Sequence, residues 1–412
     1  MHEALNTYLE QQERNLCRFL QDLVRIPTVN PPGERYAECV SLLEEKLKSL
    51  GMATQVATVP ETLLRETLPA CADYPRLNLI GRWDVGAAKT VHFNAHYDVV
   101  PVSGQWRFGP FEPKIEGGWL YGRGSADMKG AIAACCFALQ ALHACGISPR
   151  VNVEVSFTAD EEIGGDLGAG FVVKQGLSRA DYAIVCEGGA QANVGCGHNG
   201  VLWLEVAVQG KAAHASRPHR GINAFENMAA LTMELQKLKE AFSSRPFTPP
   251  SGRAMHPTLN LGGVFGVGPG AKVNTVPALA TFTIDRRITP NETLREAERE
   301  LRAAIRSARR VIPKFRAGVS RLLGIAPCLV NHQSPFPRAF ARAVRAVRGR
   351  RTRFYVTAGF TDMHFFVVEG KMPAVGYGPK GENAHSVDER VQIGDLVETA
   401  KIYAQFLSTW EG

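Results

Sequence analysis

Apolar positions along the chain follow two periods, and the points where one gives way to the other define its elements. Within residues 1–22, Leu9, Leu16, Phe19 and Leu20 recur at helical spacing between Glu and Arg residues, predicting an amphipathic helix. A second helix is expected over 36–50, closed by Gly51. Residues 77–83 and 90–95 read as core strands, and so do 151–158 and 182–186, each an apolar run bounded by polar residues. Between them, from Met128 onward, Ile132, Cys135, Cys136, Leu139 and Leu142 predict a buried helix. Helix and strand alternate to Glu187, the pattern of a sheet covered by helices on both faces. The expected fold class is α/β, with a mixed, largely parallel sheet.

The rhythm then changes. Seven of the residues in 188–200 are Gly or Asn, a composition that suits a hinge between domains. Beyond it, strands are expected at 202–209, 258–264, 278–288 and 315–323, with helices at 223–238 and 292–310. The second helix is preceded by Thr289-Pro290-Asn291-Glu292, which reads as a capping box with Pro at the first helical position. The order β-α-β-β-α-β is that of a ferredoxin-like domain. The chain returns through 336–347 and 363–368 and ends in a helix over 394–410. The expected division is a first catalytic segment at 1–197, an inserted domain at 198–327 and a second catalytic segment at 328–412.

The candidate chemistry lies where strands stop. The strand over 90–95 runs into His96 and Asp98, and 151–158 into Asp160-Glu161-Glu162 followed by Ile163-Gly164-Gly165. The strand over 182–186 stops at Glu187, and a late segment, 381–389, carries His385 and Glu389. Three consecutive carboxylates repel one another, so a cation is expected to hold them. Asp127, inside Tyr121-Gly-Arg-Gly-Ser-Ala-Asp127-Met-Lys-Gly130, precedes the buried helix and by itself would be an ordinary cap. In an open α/β sheet the carboxyl ends of the strands meet along one edge. Two His and several carboxylates delivered there would form a dinuclear metal site.

Composition and charge narrow the alternatives. A chain of 412 residues is long for one core, and no run approaches the roughly 20 apolar residues of a membrane span. The start is amphipathic and lacks an apolar signal core, so a cytoplasmic protein is expected, and nine cysteines without paired spacing are expected to be reduced. The net charge of +7 comes with arginine runs at 302–310 and 342–353, but apolar residues on the opposite side of each make them solvated helix faces. Neither run interleaves aromatic residues for stacking on bases, so no nucleic-acid partner is expected, and none in a membrane. An anionic substrate suits the charge.

Taken together, His96-x-Asp98, Gly122-Arg-Gly-x-x-Asp127-x-Lys-Gly130, Glu161-Glu162-x-x-Gly165 and His385, preceded by Val24-Arg-Ile-Pro-Thr-Val-Asn-Pro-Pro-Gly33, resemble the M20 metallopeptidases. This group contains acetylornithine deacetylase, succinyl-diaminopimelate desuccinylase, aminoacylase and glutamate carboxypeptidase. The resemblance implies two divalent metal ions per subunit, zinc first, with cobalt or manganese as alternatives. It assigns His96, Asp127 and Glu187 to one ion and Asp127, Glu162 and His385 to the other, with Asp127 bridging. Asp98 would orient His96, and Glu161 would act as general base on a water shared by the metals. The inserted domain would be a lid and a homodimer contact, supplying His214 to the site across the dimer and Asn274 and Arg286 to the substrate. A cis peptide bond is implied between Asp127 and Met128.

The function this implies is a di-zinc amidohydrolase that releases the acyl group of an N-acyl-L-amino acid. The alternatives are a dipeptidase or carboxypeptidase on the same site, or a non-catalytic binding protein on the same fold. His198-Asn199-Gly200 stands where many relatives carry a basic residue before the glycine. Ala358-Gly359-Phe360-Thr361-Asp362 replaces a Gly-Gly-Thr-Ser-Asp pattern. Both departures argue against a dicarboxylic acyl group.

Overall fold

Two sheets organise the chain, one centred in each of its two units. The structure, a computed structural model, describes residues 1–189 and 191–412. The first unit comprises Met1–Cys196, Val330–Tyr355 and Thr361–Gly412, and the second Gly197–Leu329 and Val356–Phe360.

In the first unit the strand order is Ala53–Thr58, Leu77–Trp83, Asn152–Thr158, Thr90–His96, Tyr182–Val185, Ala374–Gly376 and Asn193–His198. Thr90–His96 is parallel to both its neighbours, while Leu77–Trp83 and Ala53–Thr58 run antiparallel at one side. Both faces are covered, so the alternation along Thr90–His96 is not apolar-in and polar-out. Val91, Phe93 and Ala95 are buried, and so are His92, Asn94 and His96. The polar set survives burial because it is bonded across the parallel pair: His92 to Glu154 and Ser156, and Asn94 to Ser156 and Thr158.

The helix Gly130–Ala144 is apolar nearly all round and almost wholly buried, and it packs against Ile393–Thr409. All nine cysteines are free, and burial pushes the Cys136 thiol up to about 12. The single helix expected at the start is two, His2–Gln11 and Glu13–Val24, interrupted at Gln12, where φ −91° and ψ 1° leave the helical region. The strand Ala374–Gly376 has no counterpart among the expected elements, since three residues carry no detectable period.

A small second sheet in this unit joins distant segments. Its order is Gly381–Glu382, Arg390–Gln392, Trp119–Tyr121 and Lys114–Glu116, with Arg390 opposite Tyr121. The stretch 103–119 thus contributes one strand and leads into another, and the pairing brings 121–130 beside 381–389.

The second unit is a four-stranded antiparallel sheet, ordered Thr258–Val267, Leu279–Ile288, Gly200–Gln209 and Arg316–Ile325, with the helices Ala224–Phe242 and Leu294–Ser307. Its chain order βαββαβ with these neighbours is the ferredoxin-like arrangement. Leu202, Leu204, Val206 and Val208 are buried with Leu231, Leu235, Leu301 and Ile305 in one core. The helix Leu294–Ser307 begins later than expected. Thr293 and Glu296 form its capping box, whereas Thr289 and Glu292 bond each other in a separate turn before it.

The Gly- and Asn-rich segment 188–200, of which residue 190 lies outside the described residues, is not loose chain. Most of it is the strand Asn193–His198 running into Gly200–Gln209. Its glycines permit close approach: a Cβ at Gly195 would meet Gly376, and one at Gly197 would lie 2.3 Å from the Cys328 carbonyl oxygen. Among the described residues no helix is long and apolar enough to cross a membrane.

Candidate metal centre

Three parallel strands deliver acidic and histidine residues to the same edge of the first sheet. His96 closes Thr90–His96 opposite Thr158, and Tyr182–Val185 leads to Glu187 two residues on. After Thr158 the chain reverses at Asp160, which adopts φ +64°, and forms a short 3-10 turn over Glu161–Ile163. Gly164 and Gly165 follow with φ of +114° and +75°, and a Cβ on Gly165 would lie 2.4 Å from Asp362 Oδ1. The turn sends the adjacent glutamates to different partners. Glu161 Oε2 is 3.8 Å from His96 Nε2, and Glu162 Oε2 is 3.0 Å from His385 Nε2.

Asp127 lies in a wide turn over Ser125–Lys129, with φ −129°, ψ 91° and a cis Asp127–Met128 peptide bond. It does not cap the helix that follows. Its Oδ1 is 3.2 Å from His96 Nε2 and its Oδ2 is 3.2 Å from His385 Nε2, so one carboxylate is divided between two imidazoles. The turn's amides go instead to Glu389, whose Oε1 accepts from Ala126 N at 2.9 Å and Asp127 N at 3.0 Å. Glu389 is paired at 2.6 Å with buried Arg123, and the Lys129 ammonium donates to the carbonyls of Leu23 and Ile26. None of these three is assigned a role from the sequence, although all lie in the motifs quoted above; they engage groups, backbone or side chain, that only the fold brings near.

Asp98 orders the next layer. His96 Nδ1 is 3.1 Å from the Asp98 carbonyl oxygen and 3.4 Å from its Oδ1, which leaves Nε2 facing Asp127. The Asp98 carboxylate also accepts from the amides of Glu161 and Glu162, at 3.3 Å each.

The electrostatics call for a cation. Burial, together with neighbouring Glu187, pushes the Glu161 carboxyl well up; burial and Asp127 do the same to Glu187. Burial raises Glu162 to about 7 against the pull of His385. Asp362, also buried and one of the neighbours raising Glu161 and Glu187, is itself raised to about 7 by burial. For Asp127, hydrogen bonds from His385 and His96 outweigh burial and hold it well below the usual range; bonds to Asp127 and Glu162 raise His385 to about 10. Glu162 Oε1 and Glu187 Oε2 are buried with no hydrogen-bond partner, which is costly for carboxylates that no Lys or Arg pairs among the described residues. Ligand atoms of His96, Asp127 and Glu162 lie within 4.8 Å of one another. Oxygen and imidazole donors, two orphaned oxygens and a shared Asp fit a pair of divalent ions.

The remaining expected residues lie in the second unit. His214, on the short strand Ala213–His214, is exposed and its Nδ1 is 2.8 Å from Ser216 Oγ. The Asn274 carbonyl accepts from Ala215 N, so Asn274 and His214 are neighbours. Arg286 is elsewhere. It is fully buried, paired with Glu292 at 2.7 Å and 4.0 Å above the Phe242 ring, so a substrate carboxylate would have to displace Glu292 to reach it. Thus His96, Asp98, Asp127, Glu161, Glu162, Glu187 and His385 share one edge of the first unit, and His214 and Asn274 share one region of the second.

The family model described as peptidase family M20/M25/M40 matches residues 92–409. Succinyl-diaminopimelate desuccinylase of Methylocella silvestris is 30% identical over 413 residues, covering 96% of this chain and 97% of that protein. The M20 family metallo-carboxypeptidase Sso-CP2 from Sulfolobus solfataricus superposes with a TM-score of 0.74 at 22% identity, over 94% of this chain and 97% of its own. The Bacillus subtilis YXEP protein, a dinuclear metal binding peptidase, superposes with a TM-score of 0.69 at 15% identity, over 97% and 98%.

Proposed function

We propose that this chain, which belongs to peptidase family M20/M25/M40, is a di-zinc enzyme that releases the acyl group from an N-acyl-L-amino acid. That it is a hydrolase of amide bonds follows from the family. The finer reading rests on one observation: the two oxygens of Asp127 each lie 3.2 Å from a different imidazole, His96 and His385. This geometry suits a shared carboxylate: His96, Asp127 and Glu187 would hold one ion and Asp127, Glu162 and His385 the other. Zinc is favoured over harder ions because imidazole contributes to each set, and cobalt or manganese are substitutes to be tested. When bound, the ions supply Lewis-acid polarisation of the amide carbonyl and lower the pKa of water.

The chain's own residues supply the proton traffic. Asp98 holds the Nδ1 side of His96 and so presents its Nε2 lone pair to the metal side. Glu161 stands on the His96 side of the edge, not engaged by His385, with a carboxyl whose burial favours uptake of a proton. It takes that proton from the attacking water and delivers it to the amide nitrogen as the C–N bond breaks. His214 and Asn274 are assigned to the substrate, His214 as donor to the developing oxyanion from a second copy of the chain, so that the working form is a homodimer.

A panel of N-acetyl, N-formyl and N-succinyl amino acids beside dipeptides, with zinc or cobalt and free amine as the readout, tests this. Turnover of N-acyl amino acids over dipeptides is expected. Preference for dipeptides would move the enzyme to the peptidase reading, and no turnover of any would support a binding protein.

A further inference from the structure

We infer that Arg76 and Asn30 are positioning residues that set the direction of Glu161 and Glu162 by holding Asp160 and Asp98; the inference rests on the assignment of Glu161 as base and Glu162 as ligand. Neither touches the candidate metal ligands. Both belong to segments that wrap the acidic turn from behind.

Arg76 is fully buried, and its Nε donates to Asp160 Oδ2 at 2.7 Å. Its Nη1 is fixed by the carbonyls of Pro32 at 2.8 Å and Tyr74 at 2.7 Å. Gly33 is the residue that makes room: a Cβ there would stand 2.5 Å from Arg76 Nη1, and its φ is +105°. Asp160 Oδ1 accepts from Tyr36 Oη at 3.1 Å and from Asn30 Nδ2 at 3.0 Å. Asn30 Nδ2 also donates to Asp98 Oδ2 at 2.8 Å. The segment Asn30-Pro31-Pro32-Gly33, whose side chains and carbonyls have no role in the proposed chemistry, therefore surrounds one guanidinium and ties two carboxylates together.

The consequence follows from geometry. Asp160 is the reversal point of the chain, and its left-handed backbone decides which way Glu161 and Glu162 leave it. With a buried side chain it needs a counter-charge in place, and Arg76 is the one it has among the described residues. On the other flank, Asp98 receives both glutamate amides while Asn30 pins its Oδ2. The turn is thus gripped at its start by Arg76 and along its backbone by Asp98, with Asn30 linking the grips. The base and one metal ligand are aimed by residues outside the centre.

Kinetics and metal titration of the full-length, metal-loaded enzyme test this with Arg76→Met, Arg76→Lys, Asn30→Ala and the pair Arg76→Met/Asp160→Asn. A misplaced base and ligand predict that Arg76→Met loses about 10²-fold in kcat with KM nearly unchanged, and binds one of its two metals more weakly. The pair should regain at least about tenfold, because an amide in place of the Asp160 carboxylate keeps an oxygen for the bonds from Tyr36 and Asn30 without a stranded charge. Arg76→Lys should fall between, since it keeps the charge but not the fork. A folded Arg76→Met with kcat near wild type, a loss confined to KM, or no recovery in the pair would overturn the inference. Should Arg76→Met fail to fold, Asn30→Ala leaves the ion pair intact and is expected to lower kcat by about tenfold or more; an unchanged kcat there would overturn it equally. A wild-type turnover in Glu161→Gln would instead unseat the base assignment, while weakened binding of one metal in Arg76→Met would still stand.

Discussion

The acidic edge of the first unit and the stretch 301–361 are the two extremes of charge in this molecule. The stretch holds fourteen of the 47 Lys and Arg residues and none of the 40 Asp and Glu residues. Within it, Arg338, Arg342, Arg345 and Arg351 border an open cleft of about 300 Å³, all exposed and none with an acidic partner among the described residues. The side chain of Arg348, on the same helix, is almost wholly buried and is paired with Asp395 and Glu398. The edge holds fewer charges, but Glu162 and Glu187 each bury an oxygen without a partner among the described residues. Water solvates the arginines at little cost, whereas a buried carboxylate must find a proton, a donor or a metal. Burial, more than net charge, turns a charged residue into a constraint.

The sharpest way to break that comparison is at Asp127. Asp127→Ala removes the group facing both imidazoles, so loss of both metals and of turnover is expected, read by elemental analysis and the free-amine assay. Retention of two metals per chain would mean that the ions do not share this residue. Glu161→Gln keeps the shape of the edge and removes only the proton acceptor. Its metals should stay while turnover drops about 10²- to 10⁴-fold.

His214→Ala is expected to cost about 10²- to 10³-fold with metals in place, the scale of one lost oxyanion donor. Mixed with Glu161→Ala under conditions of subunit exchange, it should recover activity, because one site of each heterodimer then has an intact base and an intact His214. No recovery in proven heterodimers would put His214 within its own subunit or outside the reaction.

Removing the metals should make the edge visible in stability. Glu162, raised by burial from 4.5 to about 7, binds a proton more readily folded than unfolded. Such a group stabilises the fold at pH below its unfolded pKa, and the contribution is lost as pH rises through the folded one. His385, raised from 6.5 to about 10, acts in the same direction over a higher window. The Tm of chelator-treated protein is therefore expected to fall as pH increases from about 4.5 through 7 and beyond, with a flatter profile in the metal-loaded form. Parallel profiles would show that the ions do not compete with these protons.

Much of this edge is legible in the sequence because its parts are local. His96, Glu187 and the run at Asp160 follow apolar strands directly, and strand ends of one sheet meet by topology. The need for a cation near three adjacent carboxylates is equally readable, but Arg76, which meets Asp160, is 84 residues away and carries no local signal. The same holds for Glu389 and the amide of Asp127. Other features are hidden by ambiguity. Thr289 and Thr293 each precede a Glu three residues on, and only packing selects the second as the cap. The glycines of 188–200 read as a hinge, and the two units do divide within this segment, but composition does not distinguish a flexible chain from two backbones in close approach. Arg286 resembles a substrate anchor in its motif, yet Glu292 and the Phe242 ring, which engage it, lie in other elements.

The smallest expected effect lies on the arginine side. Replacing Arg338, Arg342, Arg345 and Arg351 together by Ala removes four charges from one helix and the segment beside it. Arg338 and Arg342 are four residues apart and Arg342 and Arg345 three, spacings at which like charges on a helix repel by about 0.2 to 0.5 kcal/mol per pair. Alanine also has a slightly higher helix propensity than arginine. Both terms favour the variant, while its lost side-chain packing on the surface opposes them, so stability should stay within about 1 kcal/mol of wild type by denaturant unfolding. Turnover of an N-acyl amino acid should be unchanged at moderate salt, where charges beyond about 8 to 10 Å are screened. A large loss of stability or of kcat would show that these exposed arginines have partners in the working enzyme, and the contrast between solvated and buried charge would then have to be redrawn on that side.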